Sequence, residues 1–342
     1  MWEGGRRFPL VEQRAEMSSS AVAPRGRLAP SPTGALHLGN LRTFALAWLS
    51  IRSRGGSVVL RIEDLDGPRV KPEAAAQLIA DLRWLGFDWD EGPDVGGVYG
   101  PYVQTERRAL YAAALLHLRE SGVVYPCTCS RREIEAALSA PNGPADEGAR
   151  YPGTCSARYV DEAAARAAAG GRELAWRFRA PHEEQRWEDL VRGSSAHDVQ
   201  AGVGDFVVWR GDAAYQLAVV VDDAAMAIDE VLRGDDLFTS TARQLLLYRA
   251  LGWRPPRFAH VPLVVGGDGR RLAKRHGDTR ISRYREAGIA AERLIGWVGW
   301  SCGFSPRGAE QALRDLLPRF SLDAVPRERV VLDEREHERW LR

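Results

Sequence analysis

Three groups of residues have types and spacings that could do chemistry. The first is Ala29-Pro30-Ser31-Pro32-Thr33-Gly34-Ala35-Leu36-His37-Leu38-Gly39-Asn40, between a strand pattern and the start of a helical one. A strand feeding a helix N-terminus directs backbone N–H groups and the positive end of the helix dipole at one point, which suits phosphate. His37 stands where its imidazole could meet the same anion, and Gly39 leaves room for a nucleotide against the backbone. The second group is Arg271-Leu272-Ala273-Lys274-Arg275, after a glycine-rich turn at 266–269. Of 47 basic residues only Lys71 and Lys274 are lysines. Lys71, beside Pro72 at a helix start, reads as an ordinary lysine, whereas Lys274 marks a place where arginine will not serve. An ammonium on a flexible stem can follow negative charge as it moves between phosphate oxygens, which a flat guanidinium does less easily.

The third group is Cys127, Cys129 and Cys155, three of the four cysteines. Thiolates this close in sequence suit tetrahedral zinc. The residues alone do not fix a fourth ligand: His117, His182 and His197 are candidates, and three free core cysteines remain an alternative. Cys302, alone in a tryptophan-rich helical stretch, reads as a core residue.

The elements that must position these groups follow from periodicity. The pattern predicts a strand over 26–30, a turn over 31–34, a helix over 39–54 and a buried strand over 57–62. This is how a parallel nucleotide-binding sheet begins. Helices are expected over 72–85, 105–120 and 239–251, and strands over 174–179, 205–210, 215–221 and 258–265, with the remainder mostly helical. Cysteines, prolines and glycines fill 123–160, which reads as an insertion held by something other than a large core. With 45% hydrophobic and 27% charged residues among 342, the composition is that of a soluble globular protein. No apolar run approaches the roughly 20 residues that span a bilayer, and no signal-type block opens the chain, so a cytoplasmic protein without membrane contact is expected. A net charge of +1 is no footprint of strong non-specific nucleic-acid binding, so any RNA contact needs a local basic face.

The first string resembles the opening signature of class I aminoacyl-tRNA synthetases in its glutamyl and glutaminyl branch. So do Leu60-Arg61-Ile62-Glu63-Asp64-Leu65-Asp66, the run from Tyr215 to Asp223, and the run from Val231 to Ser240. The likeness covers about 25–285. One departure is Asn40, where the signature carries a second histidine. The resemblance implies an α/β fold: a Rossmann-type parallel-sheet core with a zinc-bearing insertion and a short helical C-terminal part. The expected division is a disordered extension over 1–24, the first half of the core over 25–122, and the insertion over 123–160. The second half follows over 161–265, and the signature loop with helical C-terminal region over 266–342.

The resemblance also implies roles. ATP would be bound by Pro30, His37, Gly39, Asn40 and Lys274, with magnesium accompanying it, and His37, Asn40 and Lys274 would be catalytic. The second signature loop would be Arg271, Leu272, Ala273, Lys274 and Arg275. Glutamate would be held by Arg27, Ser31, Glu63, Tyr215 and Arg233, with Glu63 on its ammonium. Cys-x-Cys…Tyr-x-x-x-Cys is similar to the pattern of the glutamyl-queuosine tRNA(Asp) synthetases, in which Tyr151 would join Cys127, Cys129 and Cys155 on one structural zinc. In that family glutamate is activated without tRNA and passed to queuosine in the anticodon loop of tRNA(Asp). Only 67 residues follow Arg275 (342 − 275), so no anticodon-binding domain is expected, and a monomer is. A truncated glutamyl-tRNA synthetase charging tRNA(Glu) and a non-catalytic RNA-binding relic are the alternatives.

Overall fold

The computed structural model describes residues 23–32, 35–65, 72–130, 132–134, 150–270, 272, 279–333, 335, 337 and 340. The expectations for 1–22, Lys71, Arg271, Ala273, Lys274 and Arg275 lie outside the described residues.

Two sheets organise the chain. The larger has six strands in the order β2 (Ser57–Leu60), β1 (Arg25–Leu28), β9 (Glu230–Gly234), β10 (Arg257–Val261), β5 (Glu184–Asp189), β6 (Gly193–Asp198). All its pairings are parallel except the β5–β6 hairpin. The smaller sheet is antiparallel: β3 (Val124–Cys127), β4 (Ala175–Phe178), β7 (Phe206–Arg210) and β8 (Asp212–Ala213). Cys127 therefore ends a strand whose partners come from beyond the 123–160 segment. A short parallel pair, β11 (Val264–Val265) with β12 (Val330–Val331), ties the C-terminal region to the core.

The helices are α1 (Leu38–Arg52), α2 (Pro72–Trp84), α3 (Arg108–Glu120), α4 (Glu162–Ala169), α5 (Val199–Gly202), α6 (Tyr215–Ala225), α7 (Ser240–Leu251), α8 (Ile281–Glu286) and α9 (Ala291–Ser301). α1 is buried around most of its circumference because it packs on β1, β2 and β9 on one side and against α9 and the 313–319 helical turn on another. Gly26 makes that approach possible: a Cβ there would come within 2.4 Å of Ile51 Cγ1. Val58, Val59 and Leu60 are buried although β2 ends the order of the sheet, as parallel strands covered on both faces are.

One expectation needs correction, and one element was not foreseen. The run 215–221 is not a strand but the first two turns of α6. Its β-branched residues misled because α6 packs against α3 and α7 and is buried nearly all round, so no 3.6-residue polar stripe survives to be read. The β5–β6 hairpin carried no strand signal, since its residues are mostly polar. It nonetheless forms one edge of the main sheet.

Candidate active site

The C-terminal ends of parallel strands are where open α/β sheets bind ligands, and the sequence-predicted residues collect there. Arg27 sits near the end of β1, Arg61 and Glu63 just beyond β2, and Arg233 near the end of β9. Tyr215 opens α6, which carries Asp222 and Asp223 at its other end.

Arg61 is the hub. It is fully buried, and its Nη1 donates to Asp223 Oδ1 at 2.7 Å and its Nη2 to Glu63 Oε1 at 2.9 Å. Its Nε lies 3.6 Å from Asp222 Oδ2. Three carboxylates hold this guanidinium well above its usual pKa despite burial, which acts the other way. Asp222 is further satisfied by Gln104, Arg107 and Tyr111. Burial raises the Glu63 carboxyl, while Arg61 and Arg27 pull it back. Among the described residues Glu63 Oε2 accepts no hydrogen bond.

Around this hub stand buried donor atoms that meet no acceptor among the described residues. Arg27 Nη1 reaches Leu232 O at 3.4 Å and its Nε lies 3.5 Å from Asp223 Oδ1, outside hydrogen-bond geometry. Arg233 donates through Nε to His260 Nε2 at 3.0 Å and through Nη2 to Thr241 Oγ1 at 2.8 Å, leaving Nη1 unmatched. The Tyr248 hydroxyl is likewise unmatched. Burial lowers the Arg233 guanidinium and pushes the Tyr248 phenol well up. A buried N–H with no partner is costly, so several at one strand edge are donors made for a ligand. Tyr215, 38% exposed, stands at the rim. Ser31 is exposed on the turn after β1, and Pro30 O accepts from Glu63 N at 3.0 Å, joining turn to hub.

His37 departs from expectation. Its Nδ1 is the N-cap of α1, accepting from Gly39 N at 3.1 Å and Asn40 N at 3.3 Å, while Asn40 Oδ1 accepts from His37 N. Leu38 N is taken by Thr279 O and Leu41 N by His37 O. The first four N–H groups of α1 are thus spent within the protein, and the expected amide cradle for phosphate is not there. What the cap offers instead is a tautomer. With Nδ1 accepting, a neutral imidazole carries its proton on Nε2. Asn40 serves the same capping box with its oxygen, and its amide N–H₂ remains the donor end.

The cysteines meet in the smaller sheet's satellite core. The Sγ atoms of Cys127, Cys129 and Cys155 all lie within 4.8 Å of one another, and no histidine joins them among the described residues. Cys129 Sγ is 3.5 Å from Cys155 Sγ, and the Tyr151 hydroxyl lies 3.5 Å from Cys127 Sγ and 3.8 Å from Cys129 Sγ. These match the edges of a tetrahedron with ~2.3 Å metal–sulfur bonds, roughly 3.5–3.8 Å. The Arg177 guanidinium stacks 3.6 Å over the Tyr151 ring and donates to Cys127 Sγ at 3.3 Å. Burial and the Cys155 hydrogen bond push the Cys129 thiol up to about 12. Cys155 falls to about 7 despite its burial, through hydrogen bonds from the Thr128 backbone and Tyr151. A divalent cation would supply what this set lacks, a charge to hold all three sulfurs as thiolates.

Asp223, Asp189, His260, Thr241 and Tyr248 were not singled out from sequence. The one signal was Asp222-Asp223 closing an apolar run, an acidic pair that can be buried only if cations meet it.

A helix capped by an imidazole, a guanidinium–carboxylate hub at strand ends and a thiol cluster in an antiparallel side sheet are the parts this α/β core brings together. Residues 24–317 match the family model described as tRNA synthetases class I (E and Q), catalytic domain. The chain belongs to that family. It is 52% identical to a glutamyl-Q tRNA(Asp) synthetase of Symbiobacterium thermophilum over 89% of this chain and 94% of that protein. It is 43% identical to glutamate–tRNA ligase 2 of Syntrophus aciditrophicus, over 92% of this chain but 65% of that one. The structure is similar to a glutamate tRNA ligase from Elizabethkingia meningosepticum in complex with its amino acid, with TM-score 0.78 and 28% identity over 93% of this chain and 69% of the other. Within the family, the chain is one of the glutamyl-Q tRNA(Asp) synthetases.

Proposed function

We propose that the chain uses ATP to activate L-glutamate as glutamyl-adenylate without tRNA, and then transfers the glutamyl group to the queuosine base in the anticodon loop of tRNA(Asp). The observation that carries the amino-acid half is the pair of buried arginines, Arg27 and Arg233, each with an N–H unmatched among the described residues, and Glu63 close to Arg27. An amino acid with two carboxylates and one ammonium needs that set. Arg27 and Arg233, with Ser31 and the Tyr215 hydroxyl, hold the carboxylates, and Glu63 Oε2 takes the ammonium. Pro30, Gly39, Asn40 and the Nε2–H of His37 face ATP, which arrives with magnesium, and Lys274 meets the charge that develops as pyrophosphate leaves. Support for the acceptor comes from the relatives: identity is higher, and the matched share of the relative larger, for the glutamyl-Q enzyme than for the glutamate–tRNA ligase. The same reading makes the protein a cytoplasmic monomer.

Labelled glutamate should appear on tRNA(Asp) carrying queuosine and not on the same tRNA lacking it, and glutamate should drive ATP–pyrophosphate exchange with no tRNA present. Labelling of unmodified tRNA(Glu) at a comparable rate would replace this reading with that of a glutamate–tRNA ligase.

The thiol cluster, on the same reading, holds one structural zinc through Cys127, Cys129, Cys155 and the Tyr151 oxygen. When bound, the ion would cross-link the end of β3 to the 151–155 turn. Purified protein never exposed to chelator should contain about one zinc per chain, and a metal-free result would remove the ion. Tyr151→Phe should weaken zinc less than Cys155→Ser, because a phenol gives up its proton less readily than a thiol.

A further inference from the structure

We propose that Asp189 and His260 form a buried relay that fixes the orientation of the Arg233 fork toward the glutamate carboxylate, so that both are positioning residues for substrate recognition. This rests on Arg233 being a glutamate ligand. The relay runs across three neighbouring strands: Asp189 on β5, His260 on β10 and Arg233 on β9, with His260 and Arg233 directly opposite in register. All three are buried, as is Thr241 on α7.

The hydrogen bonds fix the tautomer of the imidazole, because the Arg233 guanidinium can only donate to it. Asp189 Oδ1 accepts the backbone N–H groups of Val191 and Arg192 at 3.0 Å each and of His260 at 3.2 Å. Its Oδ2 is left for His260 Nδ1, 2.5 Å away. With the proton on Nδ1, Nε2 presents a lone pair and accepts from Arg233 Nε at 3.0 Å. Thr241 Oγ1 lies 3.2 Å from the same Nε2 and accepts from Arg233 Nη2. Two of the three guanidinium nitrogens are thereby clamped, and only Nη1 is left unmatched. Phe238 and Phe258 pack against the imidazole and hold its plane. Consistently, burial keeps the imidazole neutral, its pKa down to about 4. The His260 hydrogen bond holds Asp189 ionised, down to about 2 although burial opposes it.

Asp189→Asn tests the relay with almost no change of shape. Three backbone donors require the amide oxygen at the Oδ1 place, so the amide N–H₂ faces Nδ1. The ring must then carry its proton on Nε2, against the N–H of Arg233. In glutamate-dependent ATP–pyrophosphate exchange the KM for glutamate should rise by about tenfold to a hundredfold, with the KM for ATP nearly constant. His260→Gln, which can place an amide oxygen where Nε2 stood, should recover most of the glutamate KM. His260→Asn, shorter by one methylene, should not. If Asp189→Asn proves unfolded, the Gln and Asn variants at His260 decide the matter by the same split.

Arg233→Lys separates the two ways of failing. If it leaves the glutamate KM unchanged, the assignment of Arg233 is wrong and the relay falls with it. If it raises that KM while Asp189→Asn does not, or if Gln and Asn at His260 behave alike, the relay alone is overturned.

Discussion

Lys274→Arg should lower glutamate-dependent ATP–pyrophosphate exchange by more than about tenfold while leaving glutamate affinity nearly intact, the signature of a contact made mainly in the transition state. Lys274 itself lies outside the described residues, but the ends of its segment do not. On one side the 266–270 turn closes with Gly269 N on Gly266 O and Gly266 N on Arg270 O, both at 2.9 Å, and Leu272 is buried in the main core. On the other, Thr279 O takes Leu38 N, Ile281 N reaches Leu36 O at 2.8 Å, and Arg280 bridges to His37. The described residues on either side of that segment thus stand in the main core, at Leu272, and beside the His37 cap, at Thr279 and Arg280. Because the first N–H groups of α1 are spent on His37 Nδ1, Thr279 O and His37 O, the start of α1 would give a departing pyrophosphate little on the proposed reading. More of that stabilisation falls to side-chain cations, and a preorganised charge where charge develops is the largest kind of help a site gives. Arginine keeps the charge but not the slim, rotatable ammonium. Exchange at a near-normal rate in the arginine variant would end the assignment.

Arg61→Met should cost about 3–5 kcal/mol of folding stability, the range expected when one partner of a buried ion cluster is removed. The guanidinium is fully buried and touches Asp223 at 2.7 Å and Glu63 at 2.9 Å. Methionine fills much of the volume, so the loss is electrostatic: Asp223 and Glu63 lose the cation between them, and Arg27 and Arg233 are left to meet them. Arg61→Lys should fall between, since an ammonium keeps the charge but cannot fork between carboxylates on β2's continuation and on α6. Adding Asp223→Leu to the methionine variant should return part of the stability, because the carboxylate that lost its partner is gone with it. Urea denaturation reads all three. A methionine variant within about 1 kcal/mol of the unchanged chain would show that the carboxylates need no central cation.

Arg61 also couples stability to recognition. It holds Glu63 from one side through Oε1 and leaves Oε2 for a ligand. The same guanidinium ties β2 to α6, so the residue proposed to hold the glutamate ammonium is set by a contact spanning 162 positions of sequence.

That separation marks the boundary between what this sequence determined alone and what folding decided. Local pattern sufficed for α1 and α2, for β1 and β2, and for the cysteines as a group, because caps, periodicity and a short Cys-x-Cys spacing act within a few residues. Motif likeness placed Arg27, Glu63, Tyr215 and Arg233 around one site. It could not assign His37 Nδ1 to a helix cap, since the string Leu-His-Leu-Gly-Asn reads equally as a phosphate loop or a capping box until the proton directions are known. Nor could periodicity recognise α6, whose faces are buried by α3 and α7 and so carry no stripe. Asp189 and His260 stand 71 positions apart, on a polar hairpin and a buried strand that gave no sign of each other. Only the order of strands in the sheet, β9 beside β10 beside β5, brings that carboxylate and imidazole to Arg233, because cross-strand neighbours are chosen by packing of whole elements and not by any residue's local preference.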